Sequence, residues 1–232
     1  NGLPVATYTG AFAGIQTAGL FFGGDAGPSG PSRILKTSFD YDGTSWTAGN
    51  SMVDDTKHQA RSGTQTSALS ICGVHPGTVL CESYNGTCWS NSTSTNTARA
   101  DACGGGASNT SALTYGGPQL DPTMPANTET WTGSAWTEVN NLNTGRREIT
   151  TGIGSSTASL AVGGNPPSGG PDGTEVWNGT SWTASPGDLN PGRKNAAGFG
   201  PSTAGIATGG EVPAVTAKTE SWDGSSWTEV AD

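Results

Sequence analysis

The chain has 232 residues, a formal net charge of −9 and an isoelectric point of about 4.5, a balance that disfavours nonspecific binding to nucleic acid. No apolar run approaches the ~18 residues of a membrane-crossing helix, so membrane insertion is not expected. Glycine supplies 37 residues and hydrophobic residues only 32%, a mixture that would read as disorder if it lacked a period.

It has a period. In chain order the segments SFDYDGTSW (38–46), CESYNGTCW (81–89), TETWTGSAW (128–136), TEVWNGTSW (174–182) and TESWDGSSW (219–227) repeat one pattern. Each is two short strand-like runs around a tight turn, and Asn178-Gly179 suits the two positive-φ positions of a type I′ hairpin. The turn glycines Gly43, Gly86, Gly133, Gly179 and Gly224 are spaced by 43, 47, 46 and 45 residues. Ten aromatic slots flank these turns: Tyr41, Trp46, Tyr84, Trp89, Trp131, Trp136, Trp177, Trp182, Trp222 and Trp227. All eight tryptophans of the chain lie in them, which marks these residues as structural.

Each hairpin is preceded by a short alternating run ending in glycine: Leu20/Phe22, Leu69/Ile71, Leu113/Tyr115, Leu160/Val162 and Ile206/Thr208. Gly-Gly follows four of these runs and Cys72-Gly73 the other. Period-2 spacing predicts a buried strand. Upstream, runs of small residues such as 148–154 and 195–200 suit an innermost strand, where volume is scarce. Four strands per unit, here named a to d from the centre outward, repeated every ~40–50 residues, predict a β-propeller.

An apolar strand ending in Gly-Gly, then an aromatic, a tight turn and Trp, resembles the kelch repeat. Arginines at the start of strand a, in Gly145-Arg146-Arg147 and Gly192-Arg193, fit the same resemblance. The wording W-N-G-T-S-W-T followed by L-N-x-G-R resembles kelch-like repeat proteins of marine phages and environmental bacteria. From Trp46, Trp89, Trp136 and Trp182 to the next glycine pair (or its Cys72 stand-in) is 26, 27, 27 and 27 residues, and wrapping from Trp227 through residue 1 to Gly23 gives 28. The expectation is an all-β, single five-bladed propeller, with blades near 1–48, 49–92, 93–139, 140–185 and 186–232 and adjacent termini. Asn1 in place of Met points to a processed or cut N-terminus, and no signal peptide is apparent.

Few residues suggest chemistry. The two histidines, His58 and His75, both fall in blade two. A copper oxidase of the kelch class would need two His and two Tyr converging, and Tyr41 and Tyr84 already fill structural slots. No G-x-S-x-G motif is present, and Gly104-Gly105-Gly106 lacks the lysine of a phosphate loop. Asp54-Asp55 lacks calcium-loop spacing, so no metal and no cofactor is expected. Cys72, Cys81, Cys88 and Cys103 allow two disulfides, with Cys81 and Cys88 diagonal across one hairpin, or equally four small buried side chains. Sequons begin at Asn85, Asn91, Asn109 and Asn178.

Two features carry the expectations about role. Glu82, Glu129, Glu175 and Glu220 lie two residues before the first aromatic, and Lys57, Arg99, Arg146/Arg147 and Arg193 recur in the same blades. Blade one has Phe39 and Thr7/Tyr8 instead, so both partners disappear together, which favours a structural ion pair over the alternative of a ring of charges binding an anion at the channel mouth. The loops between strands b and c (25–37, 74–80, 118–127, 165–173 and 211–218) differ from blade to blade, whereas the c–d turns are uniform. Recognition is therefore expected on the b–c face, with Arg33, His75, Gln119, Asn165 and Glu211 as candidate ligand-binding residues. The expected role is a non-enzymatic recognition or structural module, extracellular or on a virion surface, with a glycan or protein partner. The alternative is a secreted carbohydrate-active or oxidative enzyme.

Overall fold

The computed structural model describes residues 2–26, 33–74, 79–117, 126–149, 152–166, 170–211 and 213–230. Blade one comprises β1 (Ala11–Ile15), β2 (Ala18–Phe22), β3 (Ser38–Tyr41) and β4 (Trp46–Ala48). Blade two comprises β5 (Ala60–Thr64), β6 (Ser67–Ile71), β7 (Cys81–Tyr84) and β8 (Trp89–Ser92). Blade three holds β9 (Cys103–Ser108), β10 (Ser111–Tyr115), β11 (Thr128–Trp131) and β12 (Trp136–Val139). Blade four holds β13 (Ile153–Gly154), β14 (Ser159–Val162), β15 (Thr174–Trp177) and β16 (Trp182–Ala184). Blade five holds β17 (Ala197–Phe199), β18 (Ile206–Thr208), β19 (Thr219–Trp222) and β20 (Trp227–Val230). Every sheet joins four consecutive strands antiparallel, and residues from all five innermost strands or their margins surround one axial channel. The protein is an all-β five-bladed propeller.

Glycine makes the centre possible. A Cβ on Gly152 would lie 2.2 Å from the carbonyl oxygen of Gly104, so inner strands of neighbouring blades meet backbone to backbone. Farther out the blades bury large side chains, and Leu20, Leu69, Leu113 and Leu160 are fully buried. The hairpin aromatics stack in tilted pairs, with centroids 5.3 Å apart in Trp131–Trp136, Trp177–Trp182 and Trp222–Trp227. The first tryptophan of each pair donates its indole N–H to a carbonyl of its own a–b turn: Trp131 to Asn109, Trp177 to Ser156 and Trp222 to Ser202. The second reaches the preceding blade, as Trp182 donates to Thr128 Oγ1 and Trp227 to Thr174 Oγ1, both at 3.0 Å.

The hairpin turn differs from the type I′ expectation. Asn178 N–H donates to Ser181 O, so the central residues are Gly179 and Thr180, and only glycine has positive φ, at +92°. A single positive φ on a glycine in the first central position is the II′ arrangement. Position one is instead a side-chain cap. Asn178 Oδ1 accepts the amides of Thr180 and Ser181, and Asp223 Oδ1 those of Ser225 and Ser226. These bonds favour the ionised carboxylate and hold Asp223 down to about 2; Asp42 is lowered in the same way.

The recurring glutamates are buried and bind the loop that enters their blade. Glu129 accepts N–H groups from Asn96 and Thr97 and pairs with Arg99 at 2.9 Å. Glu175 does the same with Asn143, Thr144 and Arg146, and Glu220 with Asn190 and Arg193. Both partners are essentially inaccessible in the Arg99 and Arg193 pairs. The expectation that Lys57 would serve Glu82 is corrected. Glu82 takes the amides of Val53 and Asp54, while Lys57 pairs with buried Asp25 of blade one at 2.7 Å.

All four cysteines are free. Cys72, Cys81 and Cys103 are buried as small side chains, in line with the second of the two readings, and only Cys88 departs from it by being exposed. Cys72 also has φ of +58°, the conformation that Gly23, Gly116, Gly163 and Gly209 supply in the other blades.

Four of the five blade seams are sealed alike. A hydrophobic cluster fills each seam from blade one to blade five. The second glycine of the pair donates across it: Gly24 to Thr56 O, Gly73 to Arg99 O, Gly117 to Arg146 O and Gly164 to Arg193 O. Between blades five and one, no such bond from Gly210 and no such cluster occurs among the described residues. Trp46 and Tyr41 are only half-buried there, and Ile15 and Phe199 are 63% and 56% exposed. The termini expected to meet near this seam lie outside the described residues at 1 and 231–232.

Two outcomes follow from these contacts. Glu175→Gln is expected to lower unfolding free energy by about 3 kcal/mol in urea titration, since it strands a buried arginine; an unchanged midpoint would remove the structural role. The depressed carboxyls of Asp42 and Asp223 contribute stability that is full above the unfolded value near ~3.9 and is lost as pH falls through about 2. The melting-temperature gap between wild type and a D42N/D223N variant should therefore narrow between about pH 4 and pH 2. A constant gap would refute the assignment.

Candidate functional site

The b–c loops and the loops entering strand a share one face, and the axial channel opens among them. Its mouth is a cavity of about 320 Å³ lined by Thr9, His58, Asp101, Glu148 and Asn195 with residues of the inner strands. These five residues occupy equivalent positions, fourteen or fifteen residues before the glycine pair (Cys72-Gly73 in blade two). None is glycine, yet all have positive φ, between +54° and +59°. His58 N–H donates to Thr9 O, Asp101 N–H to His58 O and Asn195 N–H to Glu148 O, so the ring is stitched from blade to blade. The left-handed conformation turns each side chain's carbon away from the strand path while the amide reaches the neighbour. Asn, Asp and His tolerate it best; threonine and glutamate bear the larger cost.

The ring is charged and internally paired. His58 Nδ1 contacts Asp101 Oδ1, and Lys194 bridges Glu148 at 2.8 Å and Glu211 at 3.3 Å. Asn195 Nδ2 also donates to Glu211. No hydroxyl or thiol hydrogen-bonds to His58 among the described residues. No cluster of three or more His, Cys, Asp or Glu suited to a metal ion occurs among them either.

The candidate residues read from sequence fall around this mouth unevenly. Glu211 joins it through Lys194 and Asn195, and its backbone pairs with Lys194. Asn165 is held by its backbone, exchanging N–H and C=O with Arg147. Arg33 is exposed; its amide, not its guanidinium, is fixed by Asp25 Oδ1 at 3.0 Å. No hydrogen bond or ion pair joins Arg33, Asn165 and Glu211 to one another. His75 and Gln119 lie outside the described residues. Sequence reasoning missed Thr9, His58, Asp101, Glu148 and Asn195 as a set, because they differ in type. Their fixed offset from the glycine pair was the signal that unites them.

Below the mouth the channel narrows to a cavity of about 220 Å³ whose lining is mostly glycine, with Phe12, Phe199, Ser62 and a single charged residue, Arg61. Arg61 borders the mouth as well.

Thr9→Gly is expected to raise unfolding free energy by about 1 kcal/mol, because glycine adopts the left-handed conformation freely and a β-branched residue does not. A denaturant midpoint equal to wild type, or lower, would show that the ring carries no backbone strain.

No protein-family model matches the chain, and no curated protein matches it.

Proposed function

We propose that this protein is a kelch-like recognition or structural module that works without catalysis, outside cells or on a virion surface, and binds a glycan or protein partner with its b–c face. The observation that carries the reading is the contrast between a repeated frame and an unrepeated rim. Buried carboxylates fix the loops entering β9, β13 and β17, and glycine amides fix the roots of the b–c loops. The side chains standing on that frame differ in every blade: Thr9, His58, Asp101, Glu148 and Asn195 around the mouth, with Glu211 and Arg33 farther out. Rigid frames with variable rims favour binding, because little loop ordering is left to offset the contacts formed. The resemblance to phage and environmental kelch-like repeats supplies the proposed location.

Glycan-array and whole-cell binding test this reading directly. Glu211→Ala combined with Arg33→Ala should weaken binding about tenfold or more while leaving the melting temperature near wild type, as rim substitutions away from the core usually do. Replacing two b–c loops by short Gly/Ser loops should abolish it. Undiminished binding after both changes would refute the face. Turnover of a bound glycan that is lost in H58Q or D101N would refute the non-catalytic reading.

A further inference from the structure

Arg61 is the one charged residue in the channel waist that the repeat pattern does not explain. Its equivalents are Phe12 in β1, Gly104 in β9 and Gly198 in β17, so the inner strand does not require a cation there. The other arginines that enter the blades at buried positions, Arg99, Arg146 and Arg193, each meet a glutamate. Arg61 forms no hydrogen bond and no ion pair among the described residues, and its guanidinium nitrogens stay open to the channel. Burial pulls its pKa below the ordinary value, with Cys103 and Tyr115 acting weakly in the opposite direction. Arg61 is half-buried and is the only charged residue lining the waist among the described residues, so an anion entering the channel would pair with it.

The surroundings say what kind of anion. Arg61 also borders the unsealed seam between blades five and one, a cavity of about 580 Å³. The walls there are Phe12, Gly14, Ile15 and Gln16 of blade one and the 197–200 segment of blade five, including Phe199. Ile15 and Phe199 are among the most exposed large apolar side chains of the described residues. Among the described residues Arg61 is the sole charge on these walls. A volume of this size, largely apolar with two polar side chains, Arg61 and Gln16, is the composition of a small-molecule site. One cation suits one negative charge, and the carboxylates of Asp101 and Glu148 at the mouth disfavour a dianion such as phosphate.

We infer that the seam between blades five and one is a binding site for an amphipathic monocarboxylate, with its carboxylate on the Arg61 guanidinium and its apolar body between Ile15, Phe12 and Phe199. The mouth ring is not required, so this site stands apart from recognition on the b–c face.

Isothermal titration of the full chain with acetate, butyrate, hexanoate, hexanol and hexylamine at constant ionic strength decides the matter. Affinity should rise from acetate to hexanoate by about fourfold per added methylene, and hexanoate should exceed hexanol and hexylamine about tenfold or more. Arg61→Gln should bring hexanoate down to the hexanol level, Phe199→Ala should flatten the chain-length series, and Lys194→Gln should change neither. Hexanoate binding no tighter than acetate, or equal binding of hexylamine, would overturn the inference. So would an Arg61→Gln variant that binds hexanoate like wild type, or inorganic phosphate binding more tightly than hexanoate. The wild-type series alone settles these points if Arg61→Gln does not fold.

Discussion

A carboxylate with no access to solvent organises three of the five blades. Glu129, Glu175 and Glu220 lie on the third strand of their blades, where burial alone would penalise a charge severely. Each is stabilised by amides of the entering loop and by an arginine two or three residues farther along it. One residue thereby fixes where the loop runs, where strand a begins and which carbonyl the preceding blade's glycine reaches. Arg99, Arg146 and Arg193 supply those carbonyls, so the clamp and the seam are mechanically the same device. Such pairs add little net stability over a well-packed apolar alternative, but removing half of one is costly. Their contribution here is register.

Blade one lacks the clamp, and the consequences collect at its outer seam. Phe39 is buried where the glutamate would be, and Thr7 Oγ1 is out of solvent with no hydrogen-bond partner among the described residues. The seam against blade five has neither the glycine amide bond nor the buried second aromatic of the others. Phe22 meets Trp89 at 4.8 Å and Tyr115 meets Trp182 at 4.7 Å across sealed seams, whereas Trp46 meets Phe12 of its own blade at 6.4 Å. Local irregularity in an otherwise repetitive fold is where function is sought, because repetition already satisfies the demands of packing.

The mouth of the channel shows the opposite arrangement, a conformation repeated five times with unlike side chains. The left-handed backbone is imposed by the link to the neighbouring blade, and glycine would adopt it more cheaply. Retaining Thr, His, Asp, Glu and Asn there places a ring of polar groups around the opening, and strain of this kind persists where the surrounding structure holds it.

The repeat period, the aromatic slots and the Glu–Arg coincidence made the five-bladed fold legible in the sequence by itself, because each blade must bury the same faces and therefore repeats the same residues. The absence of both Glu and Arg from blade one was legible for the same reason. The turn type was not: Asn-Gly permits type I′, and only the tertiary structure placed Asn178 one position earlier as a side-chain cap. Lys57 was assigned to the wrong carboxylate, since spacing cannot say that Asp25 of the neighbouring blade lies nearer than the loop's own glutamate. The mouth ring and Arg61 were invisible because they are defined by convergence around an axis, which joins residues about 45 positions apart whose identities do not repeat. Periodicity records what every blade needs, and three-dimensional closure decides what the unlike residues can do together.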